Sequence, residues 1–221
     1  MSKLIQNAIV IGASGLVGRE LIQQLYKLES CQQIRIFVRS ELPEFQHYEK
    51  VEQVVLSDLY QITPSDVIGF SHAFSTLGTT LKKAGSKDNF YAVDYGVNFH
   101  FAQLLQGTNT MLTLVSAMGA SVSSWFFYNR VKGELENDIK MLNLDRLAIV
   151  RPSLLLGKRK EQRRAEDISQ LIFGKISHFL PQKFLYKPVT AEQVAHTMVE
   201  LAQFQTEKIE IYDNLSIQKT R

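Results

Sequence analysis

Tyr128 and Lys132 stand four residues apart in the stretch YNRVK, a spacing that on a helix puts both on one face, one turn apart. A phenol beside an ammonium can act as an acid/base pair. A free tyrosine holds its proton to about pH 10, and a neighbouring positive charge stabilises the phenolate and moves proton transfer towards neutral pH. The spacing alone is weak evidence, because 8 Tyr and 15 Lys in 221 residues give about half of one such pair by chance. Ser116 adds to it. Twelve residues before Tyr128, it lies near the end of the β-rich run TMLTLVSAM (110–118), where a hydroxyl can hydrogen-bond a substrate oxygen. The chemistry that suits these three residues is carbonyl reduction: a hydride from a nicotinamide, a proton from Tyr128, Ser116 on the carbonyl oxygen and Lys132 on the nicotinamide ribose.

Such a site needs a dinucleotide, and GASGLVG (12–18) offers a place for one. Gly12, Gly15 and Gly18 form Gly-x-x-Gly-x-x-Gly, for which the chance expectation is about 0.04. The motif sits between an apolar β-rich run, NAIVIG (7–12), and a helical stretch, LVGRELIQQLYKL (16–28). Gly12 permits a tight turn, Gly15 a close approach to a pyrophosphate, and Gly18 close packing of helix on sheet. The N–H groups of Ser14, Leu16 and Val17 lie around the helix N-terminus, where phosphates bind. An acid about 20 residues further on would favour NAD, but the second strand ends Phe37-Val38-Arg39-Ser40. A guanidinium there matches a 2′-phosphate, so the sequence predicts NADP(H) in preference to NAD(H). Arg19 is a second candidate for that phosphate, and the acid Glu41 is close by.

The elements that would position these groups alternate strand and helix. Strands are expected at 7–12, 34–39, 51–58, 72–78, 110–118 and 144–152, with helices at 16–28, about 88–105 and 124–142. That alternation predicts an α/β fold, a Rossmann-type doubly wound parallel sheet. Ligands then bind at the strand C-terminal edge, which adds Thr76, Leu77 and Gly78 at the mouth of strand four. After strand six, Pro152 and Leu155 are expected to line the nicotinamide pocket. The whole chain, 1–221, reads as a single NAD(P)-binding domain with a small C-terminal substrate-side region at 153–190. Residues 167–187 read as a helix running into a Pro181-bounded loop, and a strongly amphipathic helix at 189–204, capped by Thr190, comes before a last strand at 208–213.

Composition narrows the function classes. A net charge of +3 does not suggest a nucleic-acid face. The basic run KRKEQRR (158–164) reads as a solvated loop. Cys31 stands alone, which excludes an intrachain disulfide and a multi-cysteine metal cluster. It reads as a small buried hydrophobe. The histidines lack metal-ligand spacing, so no metal is expected. No apolar stretch reaches membrane-spanning length, and the short N-terminal run reads as a strand and not as a leader, which points to a cytoplasmic protein.

These stretches resemble the atypical branch of the short-chain dehydrogenase/reductase superfamily, and more closely the HIV Tat-interacting protein oxidoreductase family with its bacterial NAD(P)-binding relatives. GASGLVG, FSTLGTTLKKAG (74–85), LVSAMGAS (114–121), YNRVKGELE (128–136) and RPSLLLG (151–157) carry the resemblance, in the family's order. It implies NADPH binding with Arg39 at the phosphate-binding position, Tyr128 and Lys132 as the active pair, and a small-molecule carbonyl substrate. Asp94 falls near the position where many superfamily members carry an active-site asparagine, while Asn98 reads as structural. Two other readings stand beside the reductase. One is a non-catalytic NADPH-binding sensor or regulator. The other, ranked lower, is an epimerase or dehydratase. The sequence leaves the oligomeric state open.

Overall fold

The computed structural model describes residues 4–156 and 185–220. The basic run at 158–164 and most of the helix and loop expected at 167–187 lie outside them.

Alternation on the strands builds two cores on one sheet. In β1 (Asn7–Ile11), Ala8 and Val10 face one side while Ile9 and Ile11 face the other, and all four are buried. The first face is covered by α1 (Leu16–Lys27) through Val17, Leu21, Ile22 and Leu25. The chain adds β2 (Gln33–Val38), β3 (Val51–Val55), the short helix α2 (Pro64–Val67) and β4 (His72–Ser75). Two short helices follow, α3 (Leu81–Ala84) and α4 (Lys87–Tyr91). A π-helical turn, Ala92–Val97, then leads into α5 (Asn98–Leu104). Next come β5 (Met111–Val115), α6 (Phe127–Met141) and β6 (Arg146–Val150). Phe101 on α5, with Leu135 and Ile139 on α6, closes the second face over Ile9, Ile11, Leu112 and Leu114.

Beyond β6, a two-residue pairing joins β7 (Leu155–Leu156) to β8 (Val189–Thr190). No pattern along the chain announces it, since two residues carry no periodicity. Thr190 then caps α7 (Ala191–Phe204), with Gln193 completing the reciprocal bond of a capping box. Val194, Met198 and Leu201 are buried against α1 and the first face of the sheet. The last elements are β9 (Ile209–Tyr212) and α8 (Asn214–Lys219).

The seven-stranded sheet has the order β3-β2-β1-β4-β5-β6-β9, all parallel. The chain runs outward from β1 to β3 and then returns to β4 on the other side of β1, so the carboxyl ends of β1 and β4 flank the topological switch point. Their register pairs Ile11 with Ser75, which sets Gly12 beside Thr76. The doubly wound parallel fold expected from the sequence is therefore the observed one. The expected helix at 88–105 is instead α4, the π turn and α5. That interruption matters at the site below.

Candidate functional site

The glycine loop is built against the exit of β4. Gly12 has φ +83, and a Cβ there would fall within about 2.5 Å of the Thr76 carbonyl carbon and closer still to the Leu77 nitrogen. A Cβ on Gly18 would collide with the Gly12 carbonyl oxygen. Thr76 donates its hydroxyl to the carbonyls of Ile11 and Gly12, both at 3.1 Å, tying the two strand exits together. Gly15 is the N-cap of α1 and supplies no side-chain bond to the first turn, so the N–H groups there keep their capacity for an anion. Arg19 donates Nε to the Ser14 carbonyl at 3.1 Å and pairs Nη1 with Glu44. Arg39 is exposed at the end of β2 and has no hydrogen-bond or ion-pair partner among the described residues. These residues fit a dinucleotide phosphate group. They offer a tight turn without side chains, open helix N–H groups and a free guanidinium.

The other half of the crevice is made of paired side chains. Tyr128, in the first turn of α6, is 39% exposed, and its ring centroid lies 5.7 Å from that of Phe90 on α4. Lys132, one turn further in, is 3% exposed and lies 2.8 Å from the carboxylate of Asp94, which is 0% exposed. Ser116 sits just beyond β5, but its hydroxyl donates to Glu136 Oε1 at 2.5 Å. Glu136, buried on α6, also accepts both Nε (2.9 Å) and Nη2 (2.5 Å) of Arg151. That hydrogen bonding, with the carboxylate charge, pushes the Arg151 guanidinium above its ordinary range against the opposing effect of burial. Neither Glu136 nor Arg151 was singled out from the sequence as a site residue. The available signal was a glutamate at i+4 from Lys132, on the inward face of a helix whose outward face is charged.

Backbone bonds fix the loop between β5 and α6. Ser116 N–H donates to the Val150 carbonyl (2.8 Å) and Met118 N–H to that of Pro152 (2.9 Å), so Pro152 acts on this loop through its carbonyl. Leu155 is held in β7. The buried Asn214, which the sequence did not single out, links the stretch after β6 to the stretch before β8. It accepts from Ser153 N–H at 2.9 Å and donates to the carbonyls of Leu185 and Lys187, each at 2.8 Å. Leu77 and Gly78 continue from Thr76, and Gly78 abuts the Asp94–Lys132 pair. Tyr95, a possible rival acid, donates its phenol to Asp138 at 2.6 Å. Burial and that bond push its ionisation well above the ordinary tyrosine range. Cys31 is fully buried, and burial pushes its thiol up to about 11, in keeping with a core residue.

A seven-stranded parallel sheet with a glycine loop at its switch point defines a doubly wound, Rossmann-type α/β fold. Solved structures with this fold include an oxidoreductase of the short-chain family from Burkholderia thailandensis (TM-score 0.68, 14% identity, 99% of this chain and 95% of that one). Another is a putative NAD-dependent epimerase/dehydratase from Bacillus halodurans (TM-score 0.67, 18% identity, 96% and 97%).

The chain belongs to the HIM1 family, whose family model matches residues 35–190. It is 37% identical over 202 residues to "Protein FMP52, mitochondrial" of Debaryomyces hansenii, covering 89% of this chain and 87% of that one. It is 32% identical to the Candida albicans protein of the same name, covering 89% and 88%. These relatives overturn the cytoplasmic assignment, because they are named mitochondrial proteins and align over most of the chain. The assignment rested on the N-terminal apolar run, which is central strand β1. A run whose apolar residues serve the core carries no information about compartment. No helix among the described residues is long and apolar enough to cross a membrane.

Proposed function

We propose that this protein is an NADPH-dependent oxidoreductase that reduces a small carbonyl compound, with Tyr128 as the acid. The observation that carries the reading is the placement of Tyr128 and Lys132 on one face of α6. The phenol is half exposed at the crevice, and the ammonium is buried one turn behind it. The resemblance to the Tat-interacting protein oxidoreductases supports the same pair.

Gly12, Ser14, Gly15, Leu16, Val17 and Gly18 would hold the pyrophosphate through backbone N–H groups and the α1 N-terminus. Arg39 would take the 2′-phosphate. Thr76, Leu77 and Gly78 would border the adenosine side, and Pro152 and Leu155 the nicotinamide side. Bound NADPH supplies the hydride for the carbonyl carbon. Tyr128 gives its phenolic proton to the carbonyl oxygen as negative charge develops there, and regains a proton from solvent on its exposed side. Lys132 holds the ribose hydroxyls and lowers the cost of the transient phenolate. Ser116 would steady the carbonyl oxygen, and for this its hydroxyl must turn from Glu136.

One observation favours a second reading, an NADPH-binding sensor without turnover. The two residues read as acting with Tyr128 already have internal carboxylate partners, Ser116 with Glu136 and Lys132 with Asp94. Titration with NADPH and NADH, followed by a carbonyl-compound screen on wild type and Tyr128→Phe, separates the two. The reductase reading expects tighter NADPH binding and turnover that falls at least about 100-fold in the variant. Equal turnover by both proteins removes Tyr128 from the chemistry. NADPH binding with no turnover across the panel establishes the sensor.

A further inference from the structure

We infer that Asp94 is the positioning residue for Lys132, joining the ammonium to the loop after β4 so that the lysine and the nicotinamide end of the cofactor site are set as one unit. The inference rests on the NADPH site proposed above.

Asp94 lies in the π-helical turn Ala92–Val97. Such turns insert a residue into a helix, shift its facing and recur at functional sites. Here Asp94 and Asn98 both face inward beneath the exit of β4. Asn98 accepts from the Ser75 hydroxyl and donates to the carbonyls of Leu77 (3.4 Å) and Asp94 (3.1 Å). Asp94 reaches the next stretch of the same loop, with Oδ2 accepting from Thr79 N–H at 2.8 Å. Its other oxygen, Oδ1, lies 2.8 Å from Lys132 Nζ. No aligned hydrogen bond reaches Oδ1 among the described residues, so the contact with Nζ is one of charge.

The loop makes room for this pair. A Cβ on Gly78 would crowd Oδ1 at 3.3 Å and touch Nζ at an ordinary 3.7 Å, so the loop packs directly against the pair. Asp94 is fully buried and cannot itself meet a ligand, whereas Lys132 keeps a small exposed surface. Asp94 therefore acts through Lys132. It compensates a charge that would be costly to bury alone, and it fixes where the ammonium can reach. Asparagine at this position could bond the loop N–H but could not balance the charge.

The test uses NADPH itself as the probe, since the nicotinamide emission of bound cofactor reports how firmly that end is held. Adenosine 2′,5′-bisphosphate reports the other end. Asp94→Asn should bind adenosine 2′,5′-bisphosphate within about threefold of wild type, while the emission enhancement of bound NADPH falls to less than about half. Wild-type emission in Asp94→Asn overturns the inference. Absence of NADPH binding by the wild type overturns the cofactor reading instead. A merely structural carboxylate is separated by thermal unfolding. If Asp94→Asn lowers Tm by leaving Lys132 uncompensated, Asp94→Asn/Lys132→Met should recover at least about half of the loss, because the buried cation is gone. A double variant with no recovery overturns the pairing.

Discussion

The two halves of the crevice are built on opposite plans. The glycine-loop half is made largely of backbone. Gly12, Gly15 and Gly18 leave space, the first turn of α1 leaves N–H groups, and Arg39 stands exposed without a partner among the described residues. The α6 half is made of side chains already matched to one another, Ser116 and Arg151 to Glu136, and Lys132 to Asp94. The first half is open to a ligand as it stands. The second is held by two buried carboxylates that compensate charge and fix geometry in advance. Positioning reacting groups calls for rigid side-chain support, whereas gripping a phosphate needs only donors and a positive end.

The contrast can be broken from either side. The largest effect is expected for Gly12→Val. A side chain at φ +83, driven into Thr76–Leu77, should cost about 3 kcal/mol or more and abolish NADPH binding, measured by thermal unfolding and cofactor titration. A stable, cofactor-binding Gly12→Val would show that the loop is not packed as described. On the matched side, Glu136→Ala strands Arg151 and Ser116. Arg151 is partly exposed, so the loss should be about 2–3 kcal/mol, below the figure for a fully buried pair, read from urea midpoints at constant m-value.

Arg39→Ala touches neither packing nor the carboxylates. It should weaken NADPH by about 10–100-fold, leave NADH within a factor of about three, and leave Tm unchanged. Equal losses for both cofactors would remove the 2′-phosphate from its role. The smallest effect lies outside both halves. Asp213 caps α8, accepting from Ser216 N–H at 2.8 Å, and this bond holds its carboxyl below the ordinary carboxylate range. A depressed folded value stabilises the charged form. The roughly 0.5 kcal/mol lost in Asp213→Ala should therefore be present at neutral pH and vanish as pH falls through that depressed value. A difference unchanged into strong acid would deny the cap its charge.

Most of the fold was legible in the sequence. Alternation in β1, the Leu21–Leu25 stripe of α1 and the Thr190 cap of α7 are local patterns, and local patterns survive folding when one face must be buried. The glycine loop was legible for a related reason, because its close packing demands the absence of side chains, which shows directly as residue type. The π turn was not. Its residues read as one continuous helix, and an inserted residue changes facing without changing composition. The pairing of β7 with β8 was too short to leave a pattern, and Asn214 is a single polar residue whose three partners come from distant parts of the chain.

By itself, then, the sequence determined the parallel sheet, the glycine loop at its switch point and the Tyr128–Lys132 face of α6, all of which follow from local spacing. Only the tertiary structure decided who holds these residues. Asp94 meets Lys132 across 38 positions, and Glu136 meets Ser116 across 20 and Arg151 across 15. These partners belong to different elements brought together by the order of strands in the sheet. Burial makes the pairings obligatory, because a charge removed from water must find its opposite. Which opposite it finds is settled by the packing of whole elements, and no periodicity along the chain records that.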